Sequence, residues 1–400
     1  MSLNNTPSSQ RLHIGFFGMR NAGKSSFVNA ITNQEISLVS DIKGTTTDPV
    51  KKSMELLPIG PVVIIDTPGF DDEGALGEMR VRKTREILSK TDFAVLVVDA
   101  AKGKGEADNE LIELFKNEKI PFATVYNKAD TVGFYGAEDD GAVYVSAKQG
   151  VNIDTLKEKI AKAVVSVKKE KPLIDDLLTD GDIVVLVTPI DEAAPKGRLI
   201  LPQQLVLRNV LDNNCTAIVC KETEFEKTLA SLAVKPKLVV TDSQVFSYVS
   251  NIVPEDILLT SFSIIMARYK GDLPELVKGA AVLSRLADGD KVLISEGCTH
   301  HRQCNDIGTV KLPKWINEYS GKNLDFSFTS GGEFSENLTE YKLVVHCGGC
   351  MLGDKEMESR INKCKAAGVP VVNYGVAIAM MQNILKRSLE AFENEYEIIA

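Results

Sequence analysis

Cysteine and histidine are concentrated in two short segments of the last third of the chain. His346 precedes Cys347-Gly348-Gly349-Cys350, and Cys298-Thr299-His300-His301 lies upstream, so that three of the four His and three of the seven Cys fall in these segments. Both thiols of a C-x-x-C turn can face one metal, and the glycine pair permits a tight turn. With Cys298 as a third thiolate, the residue types indicate a metal centre.

Three thiolates do not decide which metal is bound. They suit a 4Fe-4S cluster with one open or exchangeable iron, and equally a zinc ion completed by a histidine. Redox thiols without a metal are a third interpretation, which the glycine pair and the distant Cys298 disfavour. The candidate fourth ligands, in order, are His300 or His346, then Asp306, then Cys304, with Glu296 as a further oxygen donor.

Each cysteine segment follows a predicted buried strand, at 291–295 and 341–345. Loops beyond the carboxyl ends of parallel strands lie together, so we expect the two segments to converge. The pattern continues with a helix at 355–367, a strand at 369–373 and one closing helix at 377–392. Cys364 falls in a helical stretch and is predicted to be structural.

The first third carries a phosphate-binding loop. A predicted strand at 12–17 leads into Gly18-Met19-Arg20-Asn21-Ala22-Gly23-Lys24-Ser25, a full match to G-x-x-x-x-G-K-S. Its backbone N–H groups and the positive end of the following helix face the phosphates. Lys24 supplies charge to the β/γ oxygens, and the Ser25 hydroxyl ligates Mg²⁺. The predicted nucleotide-binding positions here are Gly18, Asn21, Ala22, Gly23, Lys24, Ser25 and Ser26.

The motifs that follow select guanine. Asp66-Thr67-Pro68-Gly69 ends a strand, with Asp66 reaching Mg²⁺ through water and Gly69 sensing the γ-phosphate. In Asn127-Lys128-Ala129-Asp130, the Asp130 carboxylate accepts from N1–H and the exocyclic amine, which adenine does not offer in that arrangement. The backbone of Ser146-Ala147-Lys148 is predicted to hold O6. Five motifs in this order predict a GTPase.

Over residues 10–170 this set resembles translation-factor-related GTPases that modify tRNA or assemble ribosomes. The resemblance places the magnesium-binding threonine at Thr46 rather than Thr45, although relatives often carry arginine where this chain has Thr47. Phe70 follows Gly69, so the water-positioning glutamine of Ras-like proteins is missing.

Asn21 stands where potassium-activated members of that class ligate a K⁺ ion bridging the phosphates. Such a cation neutralises charge on the leaving phosphates, as an arginine finger does elsewhere. The resemblance implies slow hydrolysis that K⁺ accelerates, with Lys24, Thr46 and Asn21 as catalytic residues. Support of the loop is the alternative role for Asn21.

The composition narrows the partners and the compartment. The net charge is −9 and there is no basic stripe, which disfavours nucleic acid. No apolar run is long enough to span a bilayer, and the polar N-terminus lacks a signal core. An odd cysteine count with uneven spacing argues against a disulfide framework. We expect a cytoplasmic protein without a membrane or nucleic-acid partner.

The combined pattern resembles the HydF family of FeFe-hydrogenase maturation GTPases over nearly the whole chain. The matching positions are Cys298, His300, His346, Cys347 and Cys350. The resemblance implies that the three cysteines hold a 4Fe-4S cluster, and that the protein receives a di-iron precursor from the radical-SAM enzymes HydE and HydG and passes it to the hydrogenase HydA. An RNA-modifying or ribosome-assembly GTPase with a zinc site is the alternative.

The predicted fold class is α/β, with a P-loop GTPase domain followed by two smaller α/β domains of mostly parallel sheets. The predicted boundaries are a disordered tail at 1–10, the GTPase domain at 11–170, a dimerisation domain at 171–268 and an iron–sulfur cluster domain at 269–400. The middle domain has no catalytic constellation, and its Cys215 and Cys220 are predicted to be buried and to pack as small apolar residues. A homodimer through this domain is therefore expected.

Overall fold

The structure is a computed structural model that describes residues 7–33, 50–67, 77–136, 142–167, 171–190, 199–297, 306–349 and 352–392. The chain divides into two compact units, residues 1–169 and 170–400. At the described end of the predicted tail, Ser8–Gln10 form a single 3-10 turn. Within the described ranges, no helix has both the length and the apolar character needed to cross a membrane.

The first unit is built on a six-stranded sheet of order β2-β3-β1-β4-β5-β6, in which only β2 runs antiparallel to its neighbour. Its strands are β1 Leu12–Phe17, β2 Val50–Leu56, β3 Gly60–Asp66, β4 Phe93–Asp99, β5 Phe122–Asn127 and β6 Val143–Tyr144. Its helices are α1 Lys24–Thr32, α2 Gly77–Leu88, α3 Glu106–Asn117 and α4 Ile153–Val167. The central strands are continuous apolar runs because helices cover both faces of the sheet.

Strand β2 was not predicted from the sequence. It lies at the sheet edge and pairs with β3 in a hairpin, Leu56 opposite Gly60. Lys51, Lys52 and Ser53 are exposed in succession, which breaks the alternation expected of a half-buried strand. The pairing with β3, rather than the local pattern, makes this segment a strand.

The second unit contains two four-stranded sheets, each wholly parallel. The first sheet has the strand order β10-β9-β7-β8. The strands of this sheet and the helices that connect and follow them are, in chain order, β7 Ile183–Val187, α5 Leu201–Asp212, β8 Thr216–Cys220, α6 Glu222–Ala230, β9 Leu238–Thr241, α7 Phe246–Ser250, β10 Leu258–Ser261 and α8 Phe262–Lys270. The second has the order β12-β11-β13-β14 and comprises α9 Leu273–Ala280, β11 Lys291–Glu296, α10 Leu312–Ser320, β12 Asp325–Ser330, β13 Leu343–His346, α11 Asp354–Ala366, β14 Val371–Asn373, α12 Tyr374–Met381 and α13 Leu385–Leu389.

One apolar cluster runs through both sheets of this unit. It includes Leu186 of β7, Ile265 of α8 and Val344 of β13, all buried. Helix α9 crosses β14 so closely that a Cβ atom on Gly279 would lie 2.0 Å from the Val371 carbonyl oxygen. Only glycine allows this approach. The predicted fold class is confirmed.

The single closing helix predicted at 377–392 is wrong. The structure has α12 and α13 instead, and the break between them contains Asn383 with φ +58°. A residue in the left-handed region cannot continue an α-helix, and asparagine tolerates that conformation better than most residues do. The break returns the chain to β10, where the Thr260 hydroxyl donates to the Ser388 carbonyl oxygen at 2.8 Å.

Candidate functional site

The loop between β1 and α1 has the geometry of a phosphate cradle. Gly18, Asn21 and Gly23 have φ values of +142°, +60° and +85°. A Cβ atom on Gly18 would lie 2.2 Å from the Val97 carbonyl oxygen of β4, so no larger residue fits there. The loop leads directly into the N-terminus of α1, whose first N–H groups have no intrahelical acceptor.

Lys24 lies folded over this loop and is only 7% exposed. Its Nζ donates to the carbonyl oxygens of Gly18 and Met19 at 2.9 and 3.0 Å. The loop therefore holds the ammonium group beside the cradle, where phosphate oxygens can replace the two carbonyls.

Ser25 and Asp66 meet although they come from α1 and β3. The Ser25 Oγ donates to Asp66 Oδ2 at 3.0 Å. A hydroxyl and a carboxylate are the hard oxygen donors that Mg²⁺ prefers, so the two residues fit the predicted magnesium site. Thr46 and Gly69, assigned to the same ion and to the γ-phosphate, lie outside the described residues, as do Thr45, Thr47 and Phe70.

Asn127 joins three loops of the nucleotide site. Its Nδ2 donates to the carbonyl oxygens of Ala22 and Gly23 at 3.2 and 3.3 Å, and its Oδ1 accepts from the Ala147 amide at 3.1 Å. The side chain is only 2% exposed. Asn127 thus fixes the phosphate loop against the loop that begins at Ser146.

Lys128 lies along the phosphate loop. Its Nζ donates to the Asn21 carbonyl oxygen at 2.6 Å and to Asp99 Oδ2 at 2.7 Å. Burial raises the pKa of the Asp99 carboxyl, but the hydrogen bonds from Lys128 and the Ala101 amide outweigh burial and leave that pKa below its ordinary value. Sequence reasoning missed Asp99, although it ends β4 in register with Asn127.

The guanine-selecting carboxylate is oriented by a neighbouring hydroxyl. Ser146 Oγ donates to Asp130 Oδ1 at 2.6 Å and accepts from the Gln149 amide at 3.2 Å. Ser146 is fully buried, whereas Asp130 and Ala147 are half-buried and Lys148 is exposed. Asp130 is therefore held rigidly at the protein surface, as base recognition requires.

Strands β11 and β13, which lead into the two cysteine segments, end at the same edge of the sheet. These strands are neighbours, with Ser295 opposite His346. The Gly297 amide donates to Cys347 Sγ at 3.0 Å, and the Gly349 amide donates to the same sulfur at 3.4 Å. The residue before Cys298 thus touches the first thiol of the C-x-x-C turn.

The described part of the candidate metal centre contains one of its three thiols, Cys347. A sulfur that accepts two backbone N–H bonds is stabilised as a thiolate, the form that binds metal. Cys298, His300, Cys304 and Cys350 lie outside the described residues. Among the residues that the structure describes, no group of three or more His, Cys, Asp or Glu side chains is placed to hold a metal ion.

His346 is buried, with 1% exposure, and both of its ring nitrogens are engaged. Nε2 lies 3.0 Å from Arg360 Nη1, and Nδ1 lies 2.7 Å from the Cys347 carbonyl oxygen. Because a guanidinium only donates, Nε2 accepts and Nδ1–H donates. Burial and the charge of Arg360 lower the pKa of His346 to about 4, outweighing its bond to the Cys347 carbonyl. In this arrangement neither nitrogen has a lone pair free for iron.

The two oxygen candidates, Glu296 and Asp306, both lie close enough to Tyr374 to affect its hydroxyl. The Tyr374 hydroxyl donates to Glu296 Oε1 at 3.4 Å, and Asp306 Oδ2 accepts from the Thr309 amide at 2.8 Å. Burial, followed by the charges of Glu296, Cys347 and Asp306, raises the pKa of Tyr374 above its ordinary value. Sequence reasoning missed Tyr374, although it directly follows a predicted strand.

Three of the described cysteines lie outside this centre. Cys364 is fully buried in α11, and burial raises its pKa to about 12, which confirms a structural role. Cys215 is buried, as predicted, whereas Cys220 is only half-buried on the edge strand β8.

The fold and site of the first unit define a P-loop GTPase domain, and a family model described as 50S ribosome-binding GTPase matches residues 13–128. Models for the hydrogen maturase F dimerization and tetramerization domains match residues 173–271 and 274–391. The chain belongs to the hydrogen maturase F family. Its two matched assembly domains indicate oligomerisation, and the second covers a region for which the sequence had suggested only a cluster.

Curated relatives match the GTPase part. The tRNA modification GTPase MnmE of Legionella pneumophila strain Corby is 38% identical over 151 residues, covering 37% of this chain and 33% of the relative. GTPase Der of Wolinella succinogenes is 33% identical over 177 residues, covering 40% and 37%. The chain thus spans about a third of the length of these relatives.

Among solved structures, Era from Aquifex aeolicus has a TM-score of 0.34 at 18% identity, covering 52% of this chain and 92% of that one. A probable GTP-binding protein engB has a TM-score of 0.30 at 26% identity, covering 38% and 99%.

Proposed function

We propose that this protein is a GTP-hydrolysing scaffold for hydrogenase maturation that holds a 4Fe-4S cluster on Cys298, Cys347 and Cys350. The observation that carries the proposal is the contact between the Gly297 amide and Cys347 Sγ, 3.0 Å. It brings the chain to within one residue of Cys298 beside the C-x-x-C turn. Membership of the hydrogen maturase F family supports iron over zinc.

The cluster has three thiolate ligands and one iron for an exchangeable ligand. Since both nitrogens of His346 are engaged, the remaining candidates for that position are His300, Asp306, Glu296 and Cys304. The same position is where a di-iron precursor, the cargo, would dock. The proposed partners are HydE and HydG as donors and HydA as acceptor, with GTP hydrolysis governing their exchange in the cytoplasm.

Anaerobic purification, followed by metal analysis and electron paramagnetic resonance of the reduced protein, tests this proposal. We expect about four irons per chain and the signal of a reduced 4Fe-4S cluster. A protein that binds stoichiometric zinc and shows no iron–sulfur signal would contradict the proposal.

An RNA-modifying GTPase with a zinc site is the second candidate. The observation that favours it is the similarity of the first unit to the tRNA modification GTPase MnmE. That similarity covers 37% of this chain, and the net charge of −9 opposes binding to RNA. Zinc in the metal analysis, together with salt-dependent RNA binding, would favour this candidate.

GTP hydrolysis follows from the residues of the first unit. The Lys24 ammonium exchanges its two loop carbonyls for β/γ oxygens, and Ser25, Thr46 and Asp66 would hold Mg²⁺, directly or through water. Mg²⁺ neutralises charge on the phosphate oxygens. The Asp130 carboxylate, oriented by Ser146, reads the guanine edge.

Potassium is expected to accelerate this hydrolysis through Asn21. Asn21 is exposed in the phosphate loop with φ +60°. Lys128 Nζ donates to its carbonyl oxygen, so the backbone that carries the Asn21 side chain is held in place. We expect K⁺ to raise the rate at least about tenfold over Na⁺, which is ~1.4 kcal/mol of transition-state stabilisation. Asn21→Ala should remove that difference and leave the rate in Na⁺ unchanged. Equal wild-type rates in the two salts would contradict the assignment.

The middle sheet is proposed to form a homodimer through β8. This strand lies at the sheet edge, and no described strand pairs with its outer side. Val219 is 43% exposed on it, although valine favours burial. Unpaired edge strands readily pair with another chain, and the dimerization match covers this segment.

A Val219→Lys substitution is expected to dissociate the dimer at micromolar concentration, because like charges would face each other across the paired edges. Light scattering measures the mass. Lys227→Met, on the adjacent α6, is the control that should leave the mass unchanged. A wild-type monomer would contradict the assignment.

A further inference from the structure

Lys270 is the last residue of α8, and its side chain is buried beneath the cysteine loop, residues 347–352, of which 347–349 and 352 are described. Its Nζ donates to the Leu352 carbonyl oxygen at 2.9 Å and lies 3.5 Å from the Gly349 carbonyl oxygen. Lys270 is only 3% exposed. Lysine is almost never buried this deeply without a specific set of partners.

The part of α8 that carries Lys270 lies in the protein interior. Ile264, Ile265, Met266 and Ala267 of the same helix are all buried. Placing an ammonium group there is unfavourable before its hydrogen bonds are counted. An apolar residue would avoid that cost. The contacts of Lys270 with the Leu352 and Gly349 carbonyl oxygens offset part of that cost.

The backbone from which Lys270 extends is fixed by the segment that begins the second unit. The Lys171 Nζ donates to the Gly271 carbonyl oxygen at 2.6 Å, and Arg268 makes a two-pronged ion pair with Asp176 at 2.9 and 2.5 Å. The position of the Lys270 ammonium therefore follows the position of residues 171–176. It does not depend on the cysteine loop alone.

We propose that Lys270 is a positioning residue for the cysteine loop. It draws two carbonyl oxygens of that loop inward and places a fixed positive charge beside the thiol centre. The charge effect rests on the proposed iron–sulfur function, whereas the loop effect does not. Reduction adds a negative charge to the centre, and a fixed cation nearby favours the reduced form.

The loop effect is tested on the protein without metal by hydrogen–deuterium exchange. Lys270→Met removes the ammonium group at nearly constant volume, and amide exchange in a peptide covering 347–353 should become at least tenfold faster. Lys278→Met, at an exposed position of α9, is the matched control and should exchange like the wild type. Unchanged exchange in Lys270→Met overturns the proposal.

The charge effect is tested on the reconstituted protein. At a fixed applied potential, the reduced-to-oxidised ratio of Lys270→Met should fall about tenfold, which is 59 mV for one electron. Iron release to a chelator should be several-fold faster. Lys270→Arg keeps the charge and should restore the potential, which a purely structural role would not do. A Lys270→Arg potential as low as that of Lys270→Met overturns the charge effect.

The outcomes separate this inference from the proposed function. A wild-type protein without an iron–sulfur cluster removes the proposed function, while the exchange experiment still decides the role of Lys270. If Lys270→Met loses its cooperative melting, Lys270→Arg decides instead. Wild-type exchange of the loop in that variant supports the proposal, and accelerated exchange overturns it.

Discussion

Alanine in place of Cys347 is expected to reduce protein-bound iron to background while GTP hydrolysis stays within about twofold of wild type. Cys347 Sγ accepts the amides of Gly297 and Gly349, so its loss removes a proposed ligand and also the acceptor of both amides. Cys298→Ala and Cys350→Ala should behave alike if all three thiolates hold one cluster. Iron content and electron paramagnetic resonance measure the first effect, and phosphate release measures the second.

Two variants serve as controls for this result. Cys364→Ala removes a fully buried thiol from α11 and should lower stability while leaving the iron content unchanged. Lys24→Ala should abolish GTP hydrolysis and leave the cluster intact, because Lys24 belongs to the other compact unit. If Cys347→Ala also stopped GTP turnover, the independence of the two sites would be disproved.

Asparagine in place of Asp130 is expected to change the nucleotide that this protein accepts. In the predicted binding mode, the carboxylate accepts two hydrogen bonds from the guanine edge, and bonds to a charged group contribute ~1.5–3 kcal/mol each. Asparagine keeps an acceptor for N1–H, but its amide group would meet the exocyclic amine donor to donor. Losing that charge-assisted bond and leaving a donor unsatisfied weakens GTP binding by about 3–6 kcal/mol, or roughly 10²- to 10⁴-fold in affinity. An asparagine amide donates to the C2 carbonyl of xanthine, so xanthosine triphosphate should restore binding.

Titration with fluorescent analogues of both nucleotides measures this exchange of specificity. Asp154→Asn, at an exposed position of α4, is the matched control and should bind GTP like the wild type. The hydrogen bond from Ser146 Oγ to Asp130 Oδ1 adds a graded test, because Ser146→Ala should weaken GTP binding by less than Asp130→Asn does. Retention of GTP affinity by Asp130→Asn would remove this residue from the guanine site.

The loops and strand ends that carry the described motifs of the first unit could be predicted from local sequence, whereas the nucleotide contacts assigned to them stay predictions. These motifs are short, and each sits at the end of an apolar strand, so the local chain places the residues within one motif. The positive φ values of Gly18, Asn21 and Gly23 belong to the loop itself. Contacts between motifs could not be predicted in this way. The structural role of Asn127 depends on loops 104 and 20 residues away in sequence.

Two irregular features could not be predicted from local sequence, because contacts with distant parts of the chain determine them. Strand β2 is held by its pairing with β3, although consecutive exposed lysines obscure its pattern. The break between α12 and α13 lies in a segment whose composition permits a continuous helix. Asn383 takes a left-handed conformation because the chain must return to β10.

By itself, the sequence determined the chemical types at both sites, the parallel α/β class and the placement of both cysteine segments after strands. Only the tertiary structure decided what surrounds the thiol centre. Arg360 engages His346 from 14 residues away, Tyr374 reaches Glu296 over 78, and Lys270 reaches Leu352 over 82. Buried polar groups must find partners, and which partners they find depends on the elements that the fold brings together.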